Sequence, residues 1–376
     1  MDKKFKAGSY KQQFQYKCFS PNPVDIGYKW RDPAIDLLLE NANRNLGELN
    51  AYSMLVPDVN FFIRMHVFKE ATASSRIEGT KTEMDDALLP REEVDPERRD
   101  DWQEVQNYTQ AMNHAIAQLQ TVPLSVRLLK ETHKILLSDA RGKHKSPGEI
   151  RTTQNWIGGS GPTDAFFIPP IAVEVPELMG DLERFWHNRQ IQMPHLVRIA
   201  FSHYQFETIH PFQDGNGRIG RLLITLYLVA QGILKRPTLY LSDFFERNKG
   251  AYYDALTVVR TSDDMDHWVK FFLNGVAETA QKGKETFEKI VDLRHRSEDR
   301  IMTLGKRAKS GKELLKYLFS NPILNAKEAG RVLNLSHPPT NALLAEFIRH
   351  GILSEVTGYK RNRMFAFTEY LNLFKR

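Results

Sequence analysis

Apolar residues recur every three or four positions along most of this chain, which is the spacing of amphipathic helices. The period is clear in residues 37–49 and 315–323, and it returns in residues 175–187, 195–207 and 217–232. The sequence therefore predicts a mainly α-helical protein.

One segment, residues 148–170, departs from this period. Polar and apolar residues from Arg151 to Ile157 are followed by the turn-forming run Gly158-Gly159-Ser160-Gly161-Pro162, and then by Ala165 to Ile168. Two short β-prone runs separated by glycine and proline are typical of a β-hairpin. We expect a hairpin here.

The pattern changes again after residue 283. Residues 283–311 are highly charged and poor in aromatic residues, which predicts a charged helix that ends in a connector. Beyond them, helices are predicted at 313–320, 326–333 and 338–350, and strands at 353–356 and 362–367. Three helices followed by a hairpin describe a winged helix-turn-helix.

These patterns divide the chain into four predicted parts. They are an N-terminal helical region (1–110), a helical core (111–285), a charged helical connector (286–311) and a winged helix-turn-helix (312–376). The predicted fold class is mainly α, with a β-hairpin in the core and a small winged domain at the C-terminus.

The composition is that of a folded globular protein, since 41% of the 376 residues are hydrophobic and 26% are charged. Cys18 is the only cysteine, which excludes an internal disulfide and a Cys-rich zinc site and fits a reducing compartment. The first residues lack the apolar stretch of an export signal, and the longest apolar run, 222–234, is too short to span a bilayer. We therefore expect a cytoplasmic protein.

Positive charge is concentrated at the C-terminus. The whole chain has a net charge of +6, and residues 301–376 alone carry 13 Lys and Arg against 5 Asp and Glu. The basic character therefore belongs to the predicted winged helix and its connector.

The stretch most informative about chemistry runs from His210 to Arg221, HPFQDGNGRIGR, between two predicted helices. A Gly-Asn-Gly turn that enters a helix directs successive backbone N–H groups to one point, where the helix dipole adds positive potential. Arg218 and Arg221 lie three residues apart on the following helix and hence on one face. Together these groups predict a site for a polyphosphate.

Two further residues of this stretch indicate a reaction. Asp214 would repel phosphate unless a hard cation such as Mg²⁺ lay between them, which implies a metal–nucleotide complex. The near-neutral pKa of His210 suits it to accept the proton of an attacking hydroxyl. Taken singly, a His-Pro, an Asp-Gly or a Gly-x-Gly is more often an ordinary turn, so the prediction depends on their combination.

The whole stretch resembles the signature of the Fic (filamentation-induced-by-cAMP) family, and the resemblance extends over residues 30–280. It implies an all-α core in which His210 is the general base and Asp214 binds Mg²⁺ or Mn²⁺. It further implies that ATP is held by Gly215, Asn216 and Gly217 at the α- and β-phosphates and by Arg218 and Arg221 at the distal phosphates.

Two other segments are similar to parts of that family. Residues 151–168 look like its β-hairpin flap, which clamps a target peptide by main-chain pairing, with Ile157 and Gly158 at the nucleotide. Tyr252 and Tyr253 resemble a tyrosine pair near the adenine. Taken without this resemblance, a glycine-rich hairpin is more often a mere connection, and paired tyrosines in a helix commonly form the edge of a core.

Ser74 and Glu78, in the run SSRIEG, are similar to the autoinhibitory signature of family members that carry an inhibitory helix at the N-terminal side. The two residues lie one helical turn apart and share a face, so Glu78 could pair with Arg221. An Arg221 held in this way cannot bind the γ-phosphate, and ATP would be misaligned for reaction. The alternative is that Glu78 is an ordinary residue before a helix-ending glycine.

The predicted winged helix offers groups for contact with DNA within residues 336–363. The polar residues that open its second helix could meet base edges, and the basic residues of its wing could meet phosphates. The former are Ser336, His337, Thr340 and Asn341, and the latter are Lys360, Arg361, Asn362 and Arg363. Protein binding or dimerisation is the alternative, since fold alone does not establish function.

The resemblance implies a protein adenylyltransferase that transfers AMP from ATP to a Ser, Thr or Tyr hydroxyl of a target protein bound along residues 151–168. A DNA-binding regulator with a Fic sensor core, a phosphotransferase and an enzyme that removes AMP are the alternatives. The intact Gly217 and Arg221 favour AMP transfer over phosphotransfer. A homodimer is a further expectation.

Overall fold

The computed structural model describes residues 5–55, 59–138, 141–358 and 363–375. In this part of the chain helices dominate, as predicted, and the strands are short. The helices are α1 (Ala34–Leu55), α2 (Val59–Ile77), α3 (Met84–Leu88), α4 (Arg99–Gln118), α5 (Val126–Leu136), α6 (Val175–His187), α7 (His195–Ile209), α8 (Asn216–Ala230), α9 (Ser242–Arg247), α10 (Lys249–Ser262), α11 (Met265–Met302), α12 (Ala308–Ser320), α13 (Ala326–Leu333), α14 (His337–Arg349) and α15 (Thr368–Asn372). The strands are β1 (Gly8–Gln12), β2 (Lys17–Pro21), β3 (Ile323–Asn325), β4 (Ser354–Glu355) and β5 (Met364–Ala366). None of the described helices is both long and apolar enough to cross a membrane.

The centre of the molecule is the helix pair α7 and α8, joined by the loop of residues 210–215. Other helices enclose both of them, so nearly every residue of each is buried, including polar residues such as Ser202 and Thr225. Helices α2, α4, α5, α6 and α11 surround the pair. The buried Trp268 of α11 fixes one of these contacts by donating its indole N–H to the carbonyl of Ala200, 2.8 Å away.

A β-hairpin precedes the first helix, so the region predicted as helical, residues 1–110, is helical only in part. Strands β1 and β2 pair in antiparallel register, with Gly8 opposite Pro21 and Gln12 opposite Lys17. The N–H of Phe19 donates to the carbonyl of Ile168, 2.9 Å away, and attaches the hairpin to the predicted flap. The sequence pattern missed this hairpin because its strands are mostly polar and show no clear alternation of apolar and polar residues.

Helix α11 is continuous from Met265 to Met302, so the predicted boundary between core and connector at residue 285 falls inside it. Buried apolar residues continue past that boundary at Phe287, Ile290 and Leu293. Their spacing of three residues keeps one face of the helix in the core, despite the charges that cover the other faces. The connector therefore begins only after Met302.

The C-terminal module, residues 308–375, contains α12, β3, α13, α14, β4, β5 and α15 in this order. Strand β5 lies between β3 and β4 and is antiparallel to both. This is the element order of the predicted winged helix-turn-helix, with one difference: Ile323, placed in a helical pattern by its spacing, lies in strand β3.

The residues predicted to contact DNA have different environments. Ser336 and His337 are exposed and Asn341 is half-buried, but Thr340 is 1% exposed and donates its hydroxyl to the carbonyl of Ser336, 2.9 Å away. Thr340 is therefore a helix-start residue that faces the core, and its predicted role at base edges is wrong. Arg363 lies 3.3 Å from Glu355.

The other three predicted wing residues, Lys360, Arg361 and Asn362, lie outside the described residues.

The close approach of α11 to α9 gives a stability prediction. A Cβ added at Gly275 would lie 2.7 Å from the ring of Phe244, whereas one added at the exposed Gly250 of α10 would meet nothing within 4 Å. Gly275→Ala should lower the free energy of unfolding by about 1–3 kcal/mol through overpacking. Gly250→Ala is the matched control and should raise it by about 0.5 kcal/mol. Urea denaturation measures both, and an unchanged midpoint for Gly275→Ala would contradict the close packing.

Candidate active site

The loop between α7 and α8 is bounded by two residues in the left-handed conformation. His210, the C-cap of α7, has φ 51° and ψ 62°, and Gly215, the N-cap of α8, has φ 73° and ψ 9°. This conformation is uncommon for a residue other than glycine and persists only where contacts enforce it. The carbonyl of His210 supplies such contacts, because it accepts from Arg151 Nε at 2.9 Å and from Asn155 Nδ2 at 3.3 Å.

Arg151 and Asn155 were not predicted as site residues, although the pattern placed them in the flap. Arg151 is 3% exposed and also donates its backbone N–H to the carbonyl of Pro211, at 2.9 Å. Asn155 Nδ2 donates to the carbonyl of Phe212, also at 2.9 Å. The base of the flap therefore fixes the backbone of the loop, and no feature of the sequence alone pairs these residues with it.

Asn216 closes the loop with its side chain. Its Oδ1 accepts from the N–H of Phe212 and its Nδ2 donates to the carbonyl of the same residue, each at 2.8 Å. The ring of Phe212 is 1% exposed and anchors the loop in the core. The amide of Asn216 is therefore occupied by the loop, and only its backbone N–H faces an anion.

His133 of α5 supports the loop from below and was missed by sequence reasoning. Its ring stacks on Phe212, with centroids 3.9 Å apart and planes 9° from parallel. The N–H of Gly148 donates to Nδ1 at 2.8 Å, so Nε2 carries the proton and donates to the carbonyl of Asp214 at 2.9 Å. Burial lowers the pKa of His133 to about 4, which keeps this neutral tautomer at neutral pH.

The first turn of α8 forms an open anion cradle. The backbone N–H groups of Asn216, Gly217 and Arg218 have no hydrogen-bond partner in the described part of the chain. The N–H of Gly215, by contrast, donates to Asp214 Oδ1 at 2.6 Å. Unpaired N–H groups at a helix N-terminus, together with the helix dipole, bind negative groups.

The two arginines of the stretch are both buried and both paired with carboxylates. The side chain of Arg218 is 6% exposed and lies 3.2 Å from Glu104 and 3.6 Å from Asp214. Glu104 also pairs with Arg141 at 3.2 Å, so a small ion network continues from Arg218 to the surface.

Arg221 is bound by the end of α2, where the sequence placed Ser74 and Glu78. Its Nε donates to Ser74 Oγ and one of its terminal nitrogens to the Ser74 carbonyl, both at 2.9 Å. The same terminal nitrogen lies 2.6 Å from Glu78 Oε1. The side chain of Arg221 is 1% exposed and that of Glu78 is 36% exposed, so water reaches the pair only from the carboxylate side.

Electrostatics and geometry agree that this pair is ionised. Burial alone would raise the pKa of Glu78, but the charge and hydrogen bond of Arg221 outweigh burial and hold the pKa below its ordinary value. A Cβ added at Gly217 would lie 2.2 Å from Glu78 Oε1. The carboxylate of Glu78 therefore lies directly over the open cradle.

His210 is half-buried at the edge of the cradle. Burial lowers its pKa to about 4, so the imidazole is neutral at pH 7. Its Nδ1 lies 3.3 Å from the carbonyl of Glu207, which can only accept, so Nδ1 carries the proton. This leaves the lone pair of Nε2 available as a base.

Glu207, one turn before His210, is a second buried carboxyl group that sequence reasoning missed. It is 7% exposed, its Oε1 has no hydrogen-bond partner among the described residues, and burial raises its pKa to about 7. Its Oε1 lies 2.1 Å from where a Cβ would stand at Gly220, so it fills the space that this glycine leaves. Glu207 is the one acidic residue of α7, which was the signal in the sequence.

The flap is less regular than predicted. Only one antiparallel bridge, Ile157 to Phe167, joins its two sides, and residues 158–164 form turns. Gly158 is exposed with φ 71°, and Ile157 is half-buried. Phe166, 70% exposed, points away from the core.

The two tyrosines of α10 have different environments. Tyr252 is 1% exposed, and its hydroxyl lies 2.8 Å from Nε2 of His203, a buried histidine whose Nδ1 bonds to the carbonyl of Gly220. Tyr253 is half-buried, and the charges of Glu78 and Arg221 act on its hydroxyl. Tyr252 therefore belongs to the core below the site, and Tyr253 borders the cleft.

The chain is similar to known proteins of one family. Residues 37–117 match the model described as Fic/DOC family N-terminal, and residues 123–228 match the model described as Fic/DOC family. A protein adenylyltransferase Fic of Drosophila erecta is 28% identical over 200 residues, 52% of this chain and 36% of that protein. The protein of the same name from Culex quinquefasciatus is 33% identical over 144 residues, 37% of this chain and 25% of that protein.

A solved structure shares most of the architecture. The crystal structure of a Fic family protein from Desulfovibrio desulfuricans G20 matches this fold with a TM-score of 0.59 and 22% sequence identity. The match covers 91% of this chain and 98% of that protein's chain. The two family models, the relatives and the shared fold support a Fic family protein. This chain spans about a third of the length of the curated relatives it matches.

The buried neutral His133 predicts a dependence of stability on pH. Because its folded pKa of about 4 lies below the unfolded value of about 6.5, its contribution is complete above pH 6.5 and is lost as pH falls towards 4. In this window, the slope of the unfolding free energy against pH should be smaller in His133→Gln than in wild type. The difference should be roughly 1.4 kcal/mol per pH unit, which corresponds to one proton. Urea titrations from pH 5 to 7 measure it.

Phe212→Leu is the matched control, since it weakens the same stack without removing a titrating group. It should keep the wild-type slope. Equal slopes for wild type and His133→Gln would show that His133 is not held neutral.

Proposed function

We propose that this protein transfers AMP from ATP to a hydroxyl group of a protein. The observation that carries the proposal is the open anion cradle of α8, with the neutral His210 at its edge and Arg218 and Arg221 on the same helix. The curated relatives named protein adenylyltransferase Fic support the same chemistry. The cradle binds phosphates of ATP, and the arginines compensate their charge.

His210 acts as the base. Its Nε2 takes the proton of the acceptor hydroxyl while the hydroxyl oxygen forms a bond to the α-phosphorus of ATP. The bond from the α-phosphorus to the oxygen that bridges to the β-phosphate breaks, and pyrophosphate leaves with that electron pair. The backbone N–H groups of Asn216 and Gly217 stabilise the negative charge that develops on the phosphate oxygens.

Asp214 fits the role of a Mg²⁺ ligand. Its side chain is 47% exposed beside the cradle, and only Oδ1 is engaged by the N–H of Gly215 and by Arg218. No cluster of three or more potential metal-ligating side chains occurs in the described ranges. A single carboxylate that shares the ion with phosphate oxygens and water is the usual arrangement for Mg²⁺, which would neutralise phosphate charge when bound.

Glu78 inhibits this reaction in our proposal. Its carboxylate occupies the side of Arg221 that would otherwise meet the γ-phosphate, and it lies over Gly217 in the cradle. Two negative groups cannot share this site, so ATP binds in full alignment only when Glu78 withdraws.

The target protein binds along the flap, where Trp156 and Phe166 are 39% and 70% exposed.

For the C-terminal module we propose contact with DNA through the start of α14. His337 is exposed there and lies within 3.0 Å of Asn341, so the two side chains form one polar surface on a basic module.

Removing the base tests the reaction. His210→Ala should lose AMP transfer by a factor on the order of 10²–10⁴, measured as label incorporated from α-labelled ATP into protein, while ATP binding persists. EDTA should abolish transfer by the wild type, and excess Mg²⁺ should restore it. If label entered the protein from γ-labelled ATP and not from α-labelled ATP, the reaction would be phosphotransfer and not AMP transfer. Undiminished labelling by His210→Ala would remove the histidine from the mechanism.

The inhibitory contact has its own test, in which the sign of the effect decides. Glu78→Gly should raise self-labelling from α-labelled ATP, because Arg221 becomes free for the γ-phosphate. In the double variant with Arg221→Ala the gain should disappear, since the released partner is missing. A Glu78 that only supported the end of α2 would instead lower activity slightly when replaced.

A further inference from the structure

One stripe of side chains on α2 connects the C-terminal module to the active site. His66, Glu70 and Ser74 follow one another at intervals of four residues along one side of α2, and Glu78 follows at the same interval just beyond the last helical residue, Ile77. Ser74 and Glu78 bind Arg221. In the described part of the chain, neither His66 nor Glu70 makes a hydrogen bond to Arg221, although the charge of Arg221 acts on Glu70. Their partners show what holds the helix in place.

His66 packs against the last residues of the described chain. Its ring centroid lies 5.2 Å from that of Phe374, edge to face, and 5.3 Å from that of Phe287 in α11. Phe374 is 2% exposed and also packs on Tyr370 of α15, with centroids 5.2 Å apart. Tyr370 in turn packs on Phe319 of α12, so α2 is in contact with the core of the C-terminal module.

Glu70 fixes α2 one turn later. Its carboxylate accepts from the backbone N–H of Ser242 at 3.1 Å and from the hydroxyl of Tyr108 at 3.2 Å, and the hydroxyl of Ser242 also donates to it. Glu70, Ser242 and Tyr108 are 2% exposed or less. Buried bonds of this kind set the rotation of α2 about its axis, because turning the helix would leave them unpaired.

Beyond the end of α2 a second contact joins the two parts. Lys375 forms an ion pair with Asp85 of α3, the short helix that follows the Ser74–Glu78 segment. Both side chains are about half exposed, so this pair contributes little stability by itself. It shows, however, that the C-terminal residues contact the chain on both sides of the inhibitory segment.

An α-helix transmits a displacement along its axis because it is stiff over this length. His66 and Glu78 are twelve residues apart, which corresponds to about 18 Å at 1.5 Å per residue. At the far end, Ser74 and Glu78 bind Arg221. The same end is also held by Lys249 Nζ, which donates to the carbonyl of Ile77 at 2.7 Å, and by the pair of Arg76 with Glu246 at 2.7 Å. The packing at His66 is therefore one of the contacts that fix the position of Glu78.

We propose that the C-terminal module is a latch for the inhibitory helix: Phe374, packed on His66, holds α2 in the position in which Glu78 binds Arg221. Release of the Phe374 contact lets α2 shift, frees Arg221 and opens the cradle to ATP. The predicted opening of the cradle to ATP rests on the proposed AMP transfer, whereas the position of α2 and its dependence on Phe374 do not.

The first test is a mutant cycle on the full chain. Phe374→Ala should raise self-labelling from α-labelled ATP, roughly five- to fiftyfold for a coupling of ordinary size. In the Glu78→Gly background it should add nothing, because no inhibitory contact is left to release. Asn372→Ala, an exposed change at the end of α15 two residues before Phe374, is the matched control and should leave labelling unchanged. A Phe374→Ala rate equal to or below that of wild type would overturn the latch.

The second test is hydrogen exchange without nucleotide, which does not require that the protein be an enzyme. In Phe374→Ala, peptides that cover residues 66–78 should exchange faster than in wild type, while peptides from α14 keep their protection and show that the module is still folded. If residues 66–78 of Phe374→Ala exchanged as slowly as in wild type, the proposal would be contradicted. If Glu78→Gly transfers no AMP but this exchange still increases, the proposed function fails and the latch stands.

Discussion

The structure around the site depends on one requirement, that the buried guanidinium of Arg221 have a counter-charge. With 1% of its side chain exposed, Arg221 cannot rely on water, and an unpaired charge in such a place would be very costly. Burial alone would lower its pKa, but Glu78 reverses this and keeps the group charged. The contact with Glu78 therefore stabilises the protein, and any ligand that displaces Glu78 has to supply negative charge of its own.

The loop that carries the chemistry is shaped mainly by neutral groups. His133 and His210 both have pKa values of about 4 because they are buried, and each holds one defined tautomer through a backbone partner. Asn216 and Asn155 bind the backbone of Phe212 from two sides. Arg151 adds one guanidinium to these groups, because its Nε donates to the carbonyl of His210.

Some features of the fold and of the site could be predicted from the sequence, and others could not. Helices such as α6 and α13 follow from apolar spacing alone, and their bounds agree with the pattern to the residue. The residues from His210 to Arg221 could be read as a site because they are contiguous. The partners from elsewhere, His133 and Arg151, could not, since contacts over 50 or more residues leave no trace in local spacing.

The errors have physical causes as well. Thr340 was expected on a polar surface, but the first turn of α14 directs it to the core, where its hydroxyl is satisfied by the backbone. The boundary at residue 285 was inferred from a rise in charge, whereas Phe287 and Ile290 keep the same face of α11 buried. Surface charge therefore says little about where a long helix ends.

The left-handed turn at His210 has one more consequence. It ends α7 at the histidine, and five residues later Gly215 begins α8, so the negative pole of one helix and the positive pole of the next meet across a single loop. In the proposed reaction, the carbonyl end of α7 would stabilise a proton on the imidazole, and the amide end of α8 would stabilise negative charge on phosphate oxygens. The two helix termini thus form a fixed electric field whose direction matches the separation of charge that proton transfer creates.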